Sequence, residues 1–469
     1  MRSNKKVNKE TPVSKNPIKS LLNMHLLFKS EEHETFLFKL LDYVCIAISL
    51  GISLFTHFYL FGEPNSVVFD EVYFGNFTNY YLKHEYFFDI HPPLGKQMLY
   101  IGAKVLGYKG DLVFGHISQP YPNKDYKLLR FWPSLAASLI SPVIFITLRL
   151  NGVSLCWSLS SSLLPAFDNS MLVESRFILI DSFLWLFAAL SIMFCSFTIK
   201  RPNRAKKFAI LTGIFVGSTI STKFTGAGVT FGVIAAYITH FNLVKAIELL
   251  FISGFSALLV FIGSFYFHFI HLYNPGMGCR YHQPGFCEKL HNRNIFYPFL
   301  ATFDTIGRML RSNFGIQQTH SYASKWWQWP LMLGKGNWMW FVDDRNLWCV
   351  GSPVVWYYAF DGVILWLVYS LWKKGLGDSL WIMIAYLASY LPFAHVGRVM
   401  WNYHYIIPLE ISIQLSAIIV SKIAPKSYVL SILLVVCAIY AYYIQMPITY
   451  GLPISQQKLK KIMFKQWTY

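Results

Sequence analysis

Eleven runs of apolar residues separated by shorter polar stretches set the rhythm of this 469-residue chain. Their approximate limits are 37–60, 129–150, 152–168, 177–199, 207–221, 226–242, 247–271, 353–372, 378–394, 401–421 and 428–445. Helical runs of about 17–25 residues match a hydrocarbon core about 30 Å thick. The fifth and sixth are short and interrupted by glycine, so their limits are the least sharp. The pattern predicts an all-α, polytopic integral membrane protein with about 11 transmembrane helices. A different pattern, apolar yet carrying Lys96, Lys104, Lys109 and Asp111, runs from Leu94 to Phe114 and fits an amphipathic helix on the membrane surface.

Basic residues orient the spans. With the amino-terminal cluster of Arg2, Lys5, Lys6, Lys9, Lys15 and Lys19 in the cytosol, the even-numbered spans exit at further basic residues. These are Arg149, the 200–207 cluster, Lys245, Lys373-Lys374 and Lys422-Lys426. Every one of those connections is positive, as cytosolic loops are. The opposite face then collects Asp70, Glu71, Asp89 and His91, with Arg130, Asp168, Glu174, Arg176, Asp181 and Lys223 at span ends. It also holds a large 272–352 loop and the segment His395–Tyr405. The resulting layout is a cytosolic tail over 1–35, a membrane domain over 36–445 and a tail over 446–469 on the far side. The first 35 residues show no cleavable signal, so the first span is expected to act as the insertion signal.

Composition sharpens this picture. Mean hydropathy is +0.39, and only 14% of residues are charged, which excludes an ordinary soluble protein. Aromatic residues, 18% of the chain, suit the membrane interfaces. The net charge of +18 lies mainly in the connections, so it is read as orientation and not as a nucleic-acid surface. The seven cysteines show no metal-finger spacing, and no complete metal-ligand set is visible, though the acids leave a divalent ion open. Cys279 and Cys287 share one loop and are bridged if that loop is oxidised.

Asp70-Glu71 is the sharpest chemical feature. A carboxylate near neutral pH can take the proton of an attacking alcohol; the alternative is an acid pair favoured at a helix N-terminus. Arg130 reads either as a bidentate partner for a lipid phosphate or as a snorkelling side chain. Lys223 is a second cation able to neutralise a phosphate, or a plain helix-end lysine. Arg176 and Asp181 are read as a structural pair. His91 precedes two prolines that fix its loop, and Arg398, Tyr403 and His404 stand at a span start.

Several stretches resemble the protein O-mannosyltransferases in order along the chain: FDEVYFGNF and FFDIHPPLGK in the first loop, LRFWPS at 129–134, and ESRFILIDS at 174–182. HSYASKWWQWP at 320–330, VGSPVVWY at 350–357 and RVMWNYHYIIP at 398–408 complete the set, so the resemblance spans roughly 36–445. It implies a GT-C glycosyltransferase fold in the endoplasmic reticulum membrane, with a lumenal site. Implied substrates are dolichyl phosphate mannose as donor and Ser/Thr hydroxyls of secretory-pathway proteins as acceptors. The implied active form is a homodimer or a heterodimer with a paralogue. The 272–352 loop has no room for the β-trefoil MIR domain usual in eukaryotic members. Lys325-Trp326 stands where an arginine is common, and Ser352 where asparagine is usual.

By the same resemblance, Asp70 is the base of a single inverting displacement and Glu71 bonds acceptor or base. Arg130, with Lys223 and Arg398, holds the donor phosphate. His91, Arg176, Asp181, Tyr403 and His404 support the site. The rival readings are another polyprenyl-phosphate-sugar transferase, acting on a lipid or glycan, and a transporter. The transporter fits less well, because the acids gather at one face and no inverted repeat is evident.

Overall fold

The computed structural model describes residues 39–292, 295–315, 319–373 and 377–468; the basic tail over 1–35 and Lys374 lie outside them. Helices occupy all eleven apolar runs. In chain order they begin α1 (Leu40–Phe58), α2 (Glu71–Lys83), α3 (Leu94–Val105), α4 (Tyr126–Ser138), α5 (Ile140–Leu150), α6 (Leu155–Leu163), α7 (Asn169–Ser175), α8 (Asp181–Lys200) and α9 (Ala205–Thr222). There follow α10 (Gly228–His240), α11 (Leu243–His271), α12 (Phe286–His291), α13 (Tyr297–Gly315), strands β1 (Asn337–Val342) and β2 (Arg345–Cys349), then α14 (Pro353–Trp372), α15 (Leu380–Tyr390), α16 (Ile406–Ile423), α17 (Tyr428–Tyr450) and α18 (Gln456–Ile462).

Among the described residues, seven helical stretches are long and apolar enough to cross a membrane: Leu40–Phe58, Tyr126–Leu150, Asp181–Lys200, Leu243–His271, Pro353–Trp372, Asn402–Ile423 and Tyr428–Tyr450. Leu155–Phe167, Phe224–His240 and Leu380–His395 are shorter apolar helices. The glycines that blur the fifth and sixth runs are contact points between helices. A Cβ on Gly213 or Gly217 of α9 would lie 2.2 or 2.6 Å from backbone oxygens of α11. A Cβ on Gly228 or Gly232 of α10 would lie 2.4 Å from Ser389 or Ala385. Small residues four apart let helix backbones touch, at the expense of hydropathy.

The connections sort to two ends. At one, Arg149 of α5 pairs with Asp42 of α1 at 2.6 Å, and Trp157 donates to the Ala424 carbonyl. The other end carries the acids and the large loop. Among the described residues, the β1–β2 antiparallel hairpin of that loop is the one sheet in a helical chain. The Cys279–Cys287 disulfide is formed. The surface helix expected over 94–114 ends at Val105. Beyond α17 the chain docks on the hairpin: Pro453 bridges to Arg345, and buried Trp467 receives the Gly336 amide on its carbonyl.

Candidate active site

Two interactions shape the loop after α1. Glu71, in the first turn of α2, is fully buried, and both its oxygens are engaged. Oε1 accepts from Arg130 Nε at 2.8 Å and the Ile178 amide at 3.0 Å. Oε2 accepts from Arg130 Nη2 and the Val68 amide, each at 2.8 Å, and from the Tyr121 hydroxyl at 2.9 Å. Arg130 spends its remaining donors on the carbonyls of Gly62, Pro64 and Ser66. A guanidinium has five N–H groups, and all five are used. This corrects two expectations. Arg130 has no donor left for a phosphate, and Glu71 faces the protein interior rather than an acceptor. The pair is a buried staple joining the loop, α2 and α4.

Anchoring Glu71 presents its neighbour. Phe69 takes φ of +46°, a left-handed conformation that a bulky side chain adopts only under constraint. The turn aims Asp70 into an open cleft of ≈ 780 Å³, lined also by Asp89, His91, Tyr80, Phe88 and Arg280. No hydrogen bond reaches the Asp70 carboxylate among the described residues. Burial raises its pKa to about 7; Lys223 opposes that shift, and the Asp181 and Asp89 charges add to it.

Behind Asp70 lies a set of charges. Lys223 Nζ donates to both oxygens of Asp181, at 2.7 and 2.8 Å, and stands 5.7 Å from the centre of the Tyr403 ring. Glu174 is buried, with Oε1 unpartnered among the described residues. Burial and the Asp181 and Asp70 charges push its carboxyl up, with Lys223 opposing. Asp89 pairs with Lys96 at 2.5 Å, and Lys96 also donates to the His91 and Pro92 carbonyls. That clamp shapes the His-Pro-Pro turn. Burial, then the Lys223, Lys96 and Arg398 charges, holds His91 well below its ordinary pKa, so its ring is neutral.

His91 joins two spaces. It lines the Asp70 cleft and also a narrow neck of ≈ 20 Å³ where Asp181, Lys223, Arg398, Tyr403 and His404 meet apolar Leu184, Trp185 and Ile407. The neck shares Arg398, His404, Phe393, Ser389 and Thr225 with an apolar groove of ≈ 290 Å³. Phe224, Phe231, Leu310, Phe314 and Pro392 line that groove. Arg398 bonds Asn313 Oδ1 at 2.9 Å and has no acidic partner among the described residues. Greasy groove, cationic neck and acid-lined cleft thus follow one another.

Of the residues expected at a site, the structure brings together Asp70, His91, Asp181, Lys223, Arg398, Tyr403 and His404. It leaves out Glu71, Arg130 and Arg176. The expected Arg176–Asp181 pair does not form, because Arg176 instead donates to the carbonyls of His57, Tyr59 and Leu60 at the end of α1. Three residues of the neighbourhood had no assigned role in the sequence reading. Asp89 and Lys96 bracket the His-Pro-Pro turn, a signal available in the sequence. Asn313 gave none. The HSYAS and WWQWP stretches back the site, as Ser324 receives Trp329 Nε1 at 2.8 Å and Trp329 stacks on His404.

Among the described residues, no group of three His, Cys, Asp or Glu is placed to hold a metal ion.

The architecture is that of a GT-C membrane protein. The S. cerevisiae protein O-mannosyltransferase Pmt1-Pmt2 complex bound to the sugar donor superposes with a TM-score of 0.81, covering 96% of this chain and 94% of that chain at 18% identity. The Archaeoglobus fulgidus oligosaccharyltransferase AglB, in complex with an inhibitory peptide and a dolichol-phosphate, gives 0.51 over 89% and 57% at 12% identity. The family model for dolichyl-phosphate-mannose-protein mannosyltransferase matches residues 47–273, and that for the C-terminal four TMM region of protein-O-mannosyltransferase matches 301–467. The chain belongs to the protein O-mannosyltransferase family.

Among curated relatives, dolichyl-phosphate-mannose--protein mannosyltransferase 4 of Schizosaccharomyces pombe is 36% identical over 224 residues, 46% of this chain and 28% of the relative. Mannosyltransferase 1 of S. cerevisiae is 35% identical over 250 residues, 50% and 30%. Drosophila melanogaster protein O-mannosyltransferase 1 is 31% identical over 239 residues, 47% and 27%. The aligned stretches span under a third of these relatives' length.

Proposed function

We propose that this protein transfers mannose from dolichyl phosphate mannose to Ser or Thr hydroxyls of secretory-pathway proteins, from the lumenal face of the endoplasmic reticulum membrane. The observation that carries the reading is the succession of apolar groove, cationic neck and acid-lined cleft, which matches in order a polyprenyl chain, its phosphate and a sugar meeting a hydroxyl. The family supplies the donor and acceptor classes. A relative's structure bound to the sugar donor and assembled from two paralogous chains favours the same donor, and a dimer with a paralogue.

In this reading the acceptor oxygen attacks the anomeric carbon while Asp70 takes the hydroxyl proton. The bond from that carbon to the phosphate oxygen breaks, dolichyl phosphate departs, and β-linked mannose becomes α-linked. A base with pKa near 7 suits this role, being ionised at neutral pH yet still basic. The charge that grows on the departing phosphate is met by Arg398 and by Lys223. Preorganised charges of this kind act where charge develops. Lys223 is already balanced by Asp181, so Arg398 carries the larger share. Seating a phosphate in so narrow a neck requires Arg398 to exchange Asn313 for it. A phosphate leaves without a protonating acid, so one base suffices. The test is transfer of labelled mannose from dolichyl phosphate mannose to a Ser/Thr peptide by the purified chain. Absence of transfer, with transfer to a lipid or glycan acceptor instead, would favour the other polyprenyl-phosphate-sugar transferases.

A further inference from the structure

Helix α13 of the large loop has a bare face. Phe299, Leu300, Phe303, Leu310 and Phe314 fall within a sector about 100° wide on a 3.6-residue helix. Leu300, Phe303 and Phe314 are 69%, 68% and 80% exposed. The opposite face is committed. Ala301, Thr302, Thr305 and Met309 are buried, and Asp304 holds Arg308 and His282 at 2.8 Å each. Arg311, exposed, flanks the apolar sector.

What covers this face follows from its neighbour. α13 packs on α11, where the Phe299 and Tyr266 rings lie 5.1 Å apart. α11 is an apolar helix of spanning length with few of its residues buried inside the protein. Such a span meets lipid over most of its surface, and the α13 stripe adjoins it. The last turn of α13 also reaches the site. Leu310 and Phe314 line the apolar groove, and Asn313 joins the Ile90 carbonyl to Arg398.

We propose that α13 lies in the interfacial layer of the bilayer with its apolar stripe among the acyl chains, and that its last turn is the membrane-side wall past which a polyprenyl chain reaches the groove. The second half rests on the donor class proposed above; the first does not. An aromatic stripe with a cationic flank is the composition of a helix that lies in the plane of a membrane surface. Seated there, α13 holds Arg398 at the depth where a lipid phosphate sits.

The test reconstitutes the full chain in phosphatidylcholine vesicles with a fluorescent amino acid at Phe303 or, as comparison, at Asp343 on the hairpin turn. Acyl-chain-brominated lipid should quench the Phe303 probe strongly and the Asp343 probe weakly, and aqueous iodide should do the reverse. Iodide quenching at both positions would put the helix in water and overturn the proposal. Shielding of the Phe303 probe from both quenchers, with crosslinking there to a second chain, would assign the face to a protein partner and also overturn it. A second arm measures donor KM in the Phe314→Ser variant, expected to rise several-fold more for a long-chain than for a short-chain polyprenyl phosphate mannose. Equal effects would remove the wall from the proposal. If no chain length supports transfer by the wild type, the donor reading fails, while the quenching pattern still decides where the helix lies.

Discussion

Glu71 and Asp70 are neighbours in the chain, yet Glu71 is sealed by five hydrogen bonds, two of them from Arg130, while Asp70 faces a cleft with none among the described residues. The first region behaves as a core and the second as a site. Glu71 and Arg130 have spent their charge on each other and on three carbonyls; Asp70, Lys223 and Arg398 keep capacity to meet something from outside. A charged residue near a membrane surface is therefore no guide to chemistry until its partners are counted. Saturation separates a staple from a reagent.

The largest effect comes from cutting the staple. Arg130→Ala strands the Glu71 charge in the interior, and removing one partner of a buried pair costs about 3–5 kcal/mol. The variant should melt far below wild type in detergent, or fail to yield monodisperse protein. Combining Glu71→Gln with Arg130→Met should recover part of the loss, since the two residues act as a unit. A well-folded Arg130→Ala protein with raised donor KM would return Arg130 to the phosphate.

Next in size are the cations of the neck. Arg398→Met should lower kcat/KM about 10²-fold, the loss of a charge-assisted contact worth a few kcal/mol, with little change in melting temperature. Lys223→Met should cost less turnover, because Asp181 already balances the lysine, but more stability, because Asp181 is then left unpaired. Inhibition by dolichyl phosphate measures the first and thermal melting the second. Equal inhibition of wild type and Arg398→Met would place the phosphate elsewhere.

A smaller effect is the pH dependence that Asp70 imposes. With the Asp70 pKa near 7, kcat/KM should climb about tenfold per unit below pH 7 and level above it. Stability should run the other way. A folded-state pKa above the ordinary 3.8 means that the folded protein holds the extra proton, so this contribution is complete below about pH 4 and lost as pH rises through 7. Melting temperatures of Asp70→Asn and wild type should therefore diverge in favour of the variant from pH 5 to 8. A constant difference would deny the raised pKa.

The helical runs were legible in the sequence because lipid demands long apolar stretches, and every run is helical in the structure, though among the described residues seven helical stretches are long and apolar enough to span. The fifth and sixth were blurred because Gly213, Gly217, Gly228 and Gly232 serve helix contact and lower hydropathy as they do so. The candidate site was half legible. Asp70, His91, Lys223, Arg398 and His404 stood out by residue type beside predicted spans. Which acid of Asp70-Glu71 is buried was not readable, because the answer lies in Arg130, 59 positions away, and in carbonyls that any residue carries. Asn313 was invisible for a related reason: its role is a contact with Arg398, and one asparagine on an amphipathic helix announces nothing.

The central claim is that Asp70 is the reacting acid and Glu71 the structural one. Asp70→Asn and Glu71→Gln measured side by side, for mannose transfer to a Ser/Thr peptide and for thermal melting, test it most directly. The account predicts that Asp70→Asn melts no lower than wild type at pH 7 and loses turnover by about 10²-fold or more, whereas Glu71→Gln melts markedly lower. A Glu71→Gln protein as stable as wild type but inactive, beside an active Asp70→Asn protein, would contradict it.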